Sequence, residues 1–173
     1  MAEPVDEGPG GPEALDRRIR ELAQRAGRLE DLVAIYQLMA TYGPAADGGA
    51  AAVAAGLWTG EGSYESSGAG VWRGRPAIAA MLEGPGHQGL IAGGCAHVLD
   101  LPTVTVDGDR AVARCHFVLY VDGRDPAAWR VTANRWELVR TADGWAVERR
   151  VNQVLDGSPA GPALFAPDAP PEA

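Results

Sequence analysis

The first part of the chain carries hydrophobic residues at helical spacing. From Pro12 onward, apolar side chains recur every three or four positions, which predicts an amphipathic helix. The apolar stripe begins with Leu15, Ile19 and Leu22 and becomes fuller with Leu29, Leu32, Val33, Ile35, Tyr36 and Met39. Because the second set is nearly continuous, we expect that part of the helix to be well buried.

Glycine and proline set the predicted boundaries of this helical region. Residues 1–12 are rich in Gly, Pro and acidic residues, which favours disorder. Gly27 is a candidate break between two helices, and Gly43-Pro44 is predicted to end the run. A short Ala-rich helix ending near Leu57-Trp58 then starts at Asp47, whose carboxylate suits a helix N-terminus.

The pattern changes to short strands in the middle of the chain. The stretches "GSYES" and "GVWRG" read as two strands joined by a Gly-Ser turn. "RPAIAAMLEG" predicts a short helix with Pro76 near its start, and "PGHQGLIAGG" predicts a loop.

Long strands dominate after Cys95. "CAHVLDLPTVTV", "RAVARCHFVLYV", "AAWRVTANRWELVR" and "GWAVERRVNQVL" are rich in Val, Thr and aromatic residues and are separated by short turns, which predicts an antiparallel meander. Helices followed by such strands indicate an α+β fold. We predict one domain over residues 13–155, with residues 156–173 as a Pro-rich tail or a flap over a pocket.

Composition excludes some partners. A net charge of −8 argues against a nucleic-acid partner, and no run approaches the ~20 apolar residues that span a bilayer. The N-terminus lacks a signal-peptide pattern.

The two cysteines, Cys95 and Cys115, have no metal-ligand spacing and are interpreted as reduced, which fits a cytoplasmic protein. The Ala- and Gly-rich composition is typical of GC-rich bacteria.

Four segments together resemble the SnoaL-like branch of the nuclear transport factor 2-like superfamily. They are "LEDLVAIYQLMATYGPAAD", "GSYESSGAGVWRGRPAIAAML", "HVLDLPTVTVDGDRAVARCHFVLY" and "RWELVRTADGWAVERRVN", and they cover roughly residues 28–155. The resemblance implies a cone-shaped curved antiparallel sheet wrapped around the N-terminal helices. The superfamily includes ketosteroid isomerase, scytalone dehydratase, hexachlorocyclohexane dehydrochlorinase, polyketide cyclases and non-catalytic members.

The same resemblance implies a catalytic pair. In the dehydratase and dehydrochlorinase branch an Asp follows the first long helix and a His opens the first long strand, and Asp47 and His97 match these positions. The tail "SPAGPALFAP" is similar to a stretch that closes over the pocket in some members, and members of this branch are commonly trimers, whereas isomerase-like members are dimers. A pocket arginine on the long strands, which the dehydrochlorinase has, finds no clear counterpart here.

The chemistry of the two residues supports this pairing. An imidazole titrates near pH ~6.5 and can accept a proton at neutral pH, and a neighbouring carboxylate fixes its tautomer and stabilises the imidazolium. The structural alternatives are that Asp47 only caps a helix and that His97 is only satisfied by a backbone carbonyl.

Further side chains are candidates for substrate binding. If a two-residue turn lies at Asp107-Gly108, His97 opposes Val118 and shares a face with His116, whereas a three-residue loop reverses that outcome; the apolar set Cys115, Phe117 and Leu119 also competes for that face. Glu148 shares its face with Arg150 and Glu137 alternates with Trp136 and Leu138, so both glutamates are expected to meet solvent. The predicted substrate-binding set is Tyr42, Tyr64, Trp58, Cys95, His116, Phe117, Arg135 and Asn152.

These observations predict a cofactor-independent and metal-free lyase or isomerase, such as a dehydratase or cyclase. It would act on a small apolar metabolite, with a polyketide-type intermediate of secondary metabolism as one candidate. The alternative is a non-catalytic ligand-binding or structural subunit of the same fold. We also expect a homo-oligomer, trimer or dimer, that buries Val112, Val118 and Tyr120 on the outer face of the sheet.

Overall fold

The computed structural model describes residues 11–167, and the predicted disorder of residues 1–10 lies outside them. Five helices are present in this range: α1 (Pro12–Asp47), α2 (Ala51–Gly56), α3 (Arg75–Glu83), α4 (Pro85–Gly93) and α5 (Ala160–Ala163). The seven strands are β1 (Trp58–Ser66), β2 (Gly70–Arg73), β3 (Cys95–Leu99), β4 (Thr103–Asp107), β5 (Arg110–Val121), β6 (Ala127–Thr141) and β7 (Gly144–Val154).

One unbroken helix, α1, runs from Pro12 to Asp47, so the predicted break at Gly27 and the predicted end at Gly43-Pro44 are wrong. Pro44 lies in the last turn, and the helix ends only at Gly48, which is followed by Gly49 at a φ of 71°. Asp47 is therefore the last residue of α1 and does not cap α2, which follows Ala50.

Burial of α1 is uneven. Ile35, Met39 and Tyr42 are almost fully buried, as expected, but Leu29 is 64% and Val33 is 57% exposed. The buried residues recur on one face of the helix and pack against the sheet, whereas Leu29 and Val33 lie on the other face. The prediction that the whole fuller stripe is buried was wrong for this reason.

The segment "PGHQGLIAGG", predicted as a loop, forms helix α4. Its three glycines disfavour a helix in isolation, but Pro85 starts the helix with a suitable backbone angle. The ring of His87 on α4 is buried, and Leu90 packs against the core. Tertiary packing has thus overridden weak local propensity.

The strands form a mixed, open, curved sheet in the order β2-β1-β7-β6-β5-β3, with β4 also paired to β5. The predicted α+β fold and the antiparallel meander are confirmed, and one pairing, β1 with β7, is parallel. The first predicted long strand is two strands, β3 and β4, separated by residues 100–102. Pro102 lacks a backbone N–H and so interrupts the ladder there.

The core lies between α1–α3 and the concave face of the sheet. The inward side chains of β5 are the odd set Ala111, Ala113, Cys115, Phe117 and Leu119. They join Ile35, Met39, Trp58, Ile78 and Trp136 in one buried cluster.

The tail lies on the convex side of the sheet. Helix α5 contacts β7 and β6, and the ring of Phe165 lies 4.7 Å from that of His116, which faces outward. Up to residue 167 no side chain of the tail lines the cavity on the concave side of the sheet, and the flap stays a prediction. The predicted domain limits stay a prediction. No helix among residues 11–167 is long and apolar enough to cross a bilayer.

Candidate active site

The concave side of the sheet holds a cavity of about 350 Å³. Such a volume accommodates a small organic molecule. Most of its lining is apolar or aromatic, and a few polar groups are placed among these side chains. The lining residues are Tyr42, Tyr64, Ser66, Ala69, Trp72, Met81, Gly86, His87, Leu90, His97, Phe117, Leu119, Trp129, Arg130 and Asn152.

Asp47 and His97 meet at the edge of this cavity. The backbone N–H of His97 donates to Asp47 Oδ2 at 2.9 Å, and the ring Nδ1 lies 2.5 Å from Oδ1. A carboxylate can only accept here, so Nδ1 carries the proton and Nε2 is the basic atom of the neutral ring. The side chain of His97 is 7% exposed and that of Asp47 is 23% exposed.

A glycine brings the helix and the strand together. A Cβ added to Gly43 on α1 would clash with the carbonyl oxygen of His97 on β3. The helix backbone therefore passes directly over the strand, and Asp47, one turn further along α1, reaches both the ring and the backbone N–H of His97. The two hydrogen bonds fix the orientation of the carboxylate.

Burial and Asp47 act on His97 in opposite directions. Burial is the larger effect and lowers the pKa of His97 below its usual value, while the hydrogen bond and the charge of Asp47 raise it. The ring is therefore neutral at pH 7, which is the state that a general base requires.

His87, which the sequence did not single out as a site residue, packs beside the Asp47–His97 pair. Its ring centroid lies 5.2 Å from that of His97, and its Nε2 donates to the carbonyl oxygen of Ala46 at 3.0 Å. This bond fixes the tautomer and leaves Nδ1 as the acceptor. The sequence placed His87 in a loop, and only the α4 helix brings it to the cavity.

Cys95 contacts Asp47 on the side away from the cavity. Its thiol lies 3.5 Å from Asp47 Oδ1, and burial raises the pKa of the thiol to about 11, so it stays protonated and donates to the carboxylate. The ligand atoms of Asp47, Cys95 and His97 lie within 4.8 Å of one another, so this group could hold a metal ion. In the structure Asp47 Oδ1 accepts hydrogen bonds from the His97 ring and from the Cys95 thiol, so the same atoms are already hydrogen-bonded to one another.

Arg150 does not share a face with Glu148, as strand alternation suggested. It is fully buried, and its guanidinium lies 4.2–5.1 Å from the ring centroids of Tyr42, Tyr64, Phe117 and Trp136. The register between β6 and β7 shifts at Glu137/Leu138, which leaves Glu148 unpaired. This bulge breaks the alternation and puts Arg150 on the inner face.

The guanidinium of Arg150 is only partly satisfied. Its Nε donates to Asn134 Oδ1 at 3.0 Å, whereas both terminal nitrogens are buried without a hydrogen-bond partner. A buried cation thus lies behind the aromatic rings, three of which, those of Tyr42, Tyr64 and Phe117, line the cavity. It makes the electrostatic potential of the cavity more positive.

Four residues of the predicted binding set line the cavity: Tyr42, Tyr64, Phe117 and Asn152. Tyr42 is 2% exposed, and burial raises the pKa of its hydroxyl, which keeps it a hydrogen-bond donor. Asn152 is 1% exposed and its Oδ1 has no partner, so this oxygen can accept a hydrogen bond from a bound molecule. Tyr64 packs its ring 6.4 Å from that of Tyr42.

Four residues of the predicted binding set do not line the cavity. Trp58 is fully buried in the core, where its indole N–H donates to the carbonyl oxygen of Ser63 at 3.0 Å. Cys95 lies behind the Asp47–His97 pair. Arg135 faces the convex side and donates to Glu137 Oε1 at 2.9 Å. His116 is 52% exposed and bonded to Asp100.

The predicted alignment of His97 with His116 was wrong because two register assumptions failed. Asp107 pairs with Arg110, so the turn lies at Gly108-Asp109, one residue later than predicted. The register then shifts by one between β4 and β3, so His97 opposes Leu119 rather than Val118. A shift of one residue exchanges the two faces of a strand. His97 therefore faces inward with Phe117 and Leu119, and His116 faces outward.

Comparison with known proteins agrees with this architecture. Residues 27–151 match the model of the SnoaL-like domain. This chain belongs to the SnoaL-like family. An NTF2-like protein with a cystatin-like fold from Novosphingobium aromaticivorans is 43% identical, with a TM-score of 0.79 over 92% of this chain and 99% of that chain.

Other solved structures with a similar fold are more distant in sequence. A provisionally assigned aromatic ring hydroxylase from Novosphingobium aromaticivorans is 25% identical, with a TM-score of 0.61 over 73% of this chain and 90% of that chain. ActVI-ORFA from Streptomyces coelicolor is 21% identical, with a TM-score of 0.63 over 72% and 94%, and shares the fold. A comparison with curated proteins found no match.

Proposed function

We propose that this SnoaL-like protein is a cofactor-independent lyase or isomerase that acts on a small, largely apolar molecule, with His97 as general base and Asp47 behind it. The observation that carries the proposal is the 2.5 Å contact between Asp47 and the ring of a histidine that lines an apolar cavity. A polyketide-type intermediate, a fused-ring molecule with ketone and hydroxyl groups, is the substrate class that we favour.

The proton balance of such a reaction is simple. Nε2 of His97 takes a proton from a carbon or oxygen of the bound molecule, and Asp47 stabilises the imidazolium that forms. The imidazolium then returns the proton, either to another carbon in an isomerisation or to a departing hydroxyl group in a dehydration. Neither course consumes an electron donor or acceptor.

The rest of the cavity supports this assignment. Removal of a proton beside a carbonyl places negative charge on its oxygen, and the buried cation of Arg150 and the hydroxyl of Tyr42 favour that charge. The amide oxygen of Asn152 is available for a hydroxyl of the same molecule. The aromatic lining excludes water from the reacting atoms.

The test is proton exchange in heavy water. Wild-type protein is incubated in D₂O with a panel of cyclic ketones and hydroxyketones of one to three rings, and loss of C–H signal beside the carbonyl is followed by NMR. We expect exchange with at least one compound and a decrease of about 10²–10⁴-fold in His97→Gln. The matched control is His116→Gln, which removes an outward-facing histidine and should exchange at the wild-type rate.

The alternative function is a non-catalytic ligand-binding or structural subunit. It would be supported if calorimetry shows that panel compounds bind equally to wild type and to His97→Gln, and no C–H exchange occurs in either protein.

A metal-dependent reaction at Asp47, Cys95 and His97 is tested separately with a chelator. The chelator would abolish exchange in a metal-dependent reaction, whereas proton transfer by the proposed base does not respond to a chelator. The cytoplasmic location stays a prediction.

A further inference from the structure

An apolar stripe with a strict spacing runs along the first half of α1 and continues to Tyr36. Along the helix the stripe advances in alternating steps of four and three residues, which is the heptad pattern of a coiled coil. Its members are Leu15, Ile19, Leu22, Ala26, Leu29, Val33 and Tyr36. The large aliphatic members among them are 54–64% exposed.

This part of the helix has no packing partner in the described chain. From Glu13 to Glu30 every side chain except Ala14 is exposed, and Gly27 is half-buried. The contacts with the rest of the protein begin at Asp31, which accepts hydrogen bonds from Arg140 and Trp145. A helical segment of about five turns without tertiary packing is only marginally stable in water, so it needs a partner.

The identities of the stripe residues favour a second, identical helix as the partner. In heptad notation Ile19, Ala26 and Val33 occupy position a, and the d positions hold Leu15, Leu22, Leu29 and Tyr36. β-branched residues at a with leucine at d favour two parallel strands. We propose that the first half of α1 forms a parallel two-stranded coiled coil with a second copy of this chain.

The flanking charges select the same arrangement. Up to Glu30 the g positions hold Arg18 and Arg25, and the e positions hold Asp16, Ala23 and Glu30. A parallel pair places g of one helix against e of the next heptad, so that Arg25 meets Glu30 of the partner subunit. An antiparallel pair would place basic g positions against each other and acidic e positions against each other, which is unfavourable.

This interface differs from the one predicted on the outer face of the sheet. On that face Tyr120 is 37% exposed and Val112 and Val118 are half-buried, so the apolar surface on α1 is the more exposed of the two. In a parallel pair the sheets of both chains, with the helices packed on them, lie at the same end of the coiled coil.

The first test is the mass in solution. Analytical ultracentrifugation of the full chain at micromolar concentration should give twice the 18.0 kDa of one chain. The double variant Leu22→Glu and Leu29→Glu should halve that mass, because it places charges at two d positions. The control carries Arg17→Glu and Gln24→Glu, also seven residues apart, on the opposite face of the helix, and should keep the mass of the wild type.

Two results of the mass test overturn the proposal: a monomeric wild type, and a Leu22/Leu29 variant that keeps the mass of the wild type. Because all four substituted residues are exposed, the far-UV circular dichroism and tryptophan fluorescence of the body report whether each variant is folded.

The second test separates parallel from antiparallel pairing. Leu15→Cys protein should form a disulfide-linked dimer under mild oxidation, because equivalent d positions face each other only in a parallel pair. Wild type, with its own Cys95 and Cys115, is the background control. Linkage that appears only when Leu15→Cys is mixed with Val33→Cys, or no linkage at all, contradicts the parallel arrangement.

Discussion

The two halves of α1 share one helical backbone, but they lie in different surroundings. In the first half, up to Glu30, the leucines are exposed, whereas in the second half Ile35, Met39 and Tyr42 are buried against the sheet. Periodicity alone therefore predicts that a stretch is helical but not what covers it. The spacing of the stripe is more informative, since the 4-3 repeat of the first half is typical of helix-to-helix packing.

The largest expected difference between the halves is chemical. Asp47→Asn, in the second half, should lower the C–H exchange rate about 10²–10⁴-fold, because the amide can no longer fix the tautomer of His97 or stabilise its charged form. The Leu22→Glu and Leu29→Glu variant of the first half should exchange at close to the wild-type rate per chain. Equal loss in both variants, measured by NMR, would show that the two halves are not independent.

The next largest difference concerns stability. Ile35→Ala should lower the free energy of unfolding of the body by about 2–5 kcal/mol, because it leaves a cavity in a fully buried position. Gln24→Ala, at an exposed position of the first half on the face opposite the stripe, should change it by less than about 0.5 kcal/mol. Urea unfolding monitored by the fluorescence of buried Trp58 and Trp136 compares the two, and equal losses would contradict the assigned burial.

A glycine-to-alanine pair sharpens the comparison within the helix. Gly43→Ala should push the helix away from His97 and reduce both stability and exchange, because the new methyl group would clash with a backbone oxygen. Gly27→Ala, in the first half, meets no atom within 4 Å and should stabilise the helix by up to about 1 kcal/mol. Thermal unfolding with exchange assays distinguishes them, and an active, stable Gly43→Ala protein would contradict the close approach.

The smallest expected effect is a shift in pH dependence. Because burial lowers the pKa of His97, the acid limb of the exchange rate should have its midpoint below pH ~6.5. The residual activity of Asp47→Asn should have an acid limb at still lower pH, since the carboxylate raises this pKa. A rate profile with both midpoints above 6.5 would be inconsistent with a buried base.

Stability should follow pH through the same group. The unfolded chain binds a proton at His97 more readily than the folded one, so this residue contributes stability at and above its unfolded pKa near 6.5. That contribution is lost as the pH falls from 6.5 towards the lower folded pKa. The leucine-to-glutamate variant of the first half keeps this environment of His97 and should show the same dependence.

The sequence was sufficient to predict the fold and to single out one pair of candidate residues that lie in contact. The order of helices and strands and the resemblance predicted the curved sheet, and they singled out Asp47 and His97, which the structure places in contact. Alternation along the strands was reliable where the ladder is regular, so the odd set of β5 was recognised as a candidate for the inner face.

What the sequence could not give depends on local irregularities. The one-residue shift between β3 and β4 placed His97 on the inner face, opposite to that of His116, and the bulge at Glu148 placed Arg150 on the inner face as well. Neither leaves a signal in composition or alternation, since both depend on which backbone pairs with which. Helix α4, with His87, needed tertiary contacts that outweigh its glycines.

The passage of α1 over β3 at Gly43 has an evolutionary consequence. The spacing between the proposed base and its carboxylate is set by main chain lying on main chain, while the cavity wall is formed by separate side chains such as Trp72, Met81 and Leu90. Substitutions at those wall positions can change the shape of the cavity without moving Asp47 or His97. Related proteins of this fold can therefore differ in substrate and still use the same proposed proton transfer.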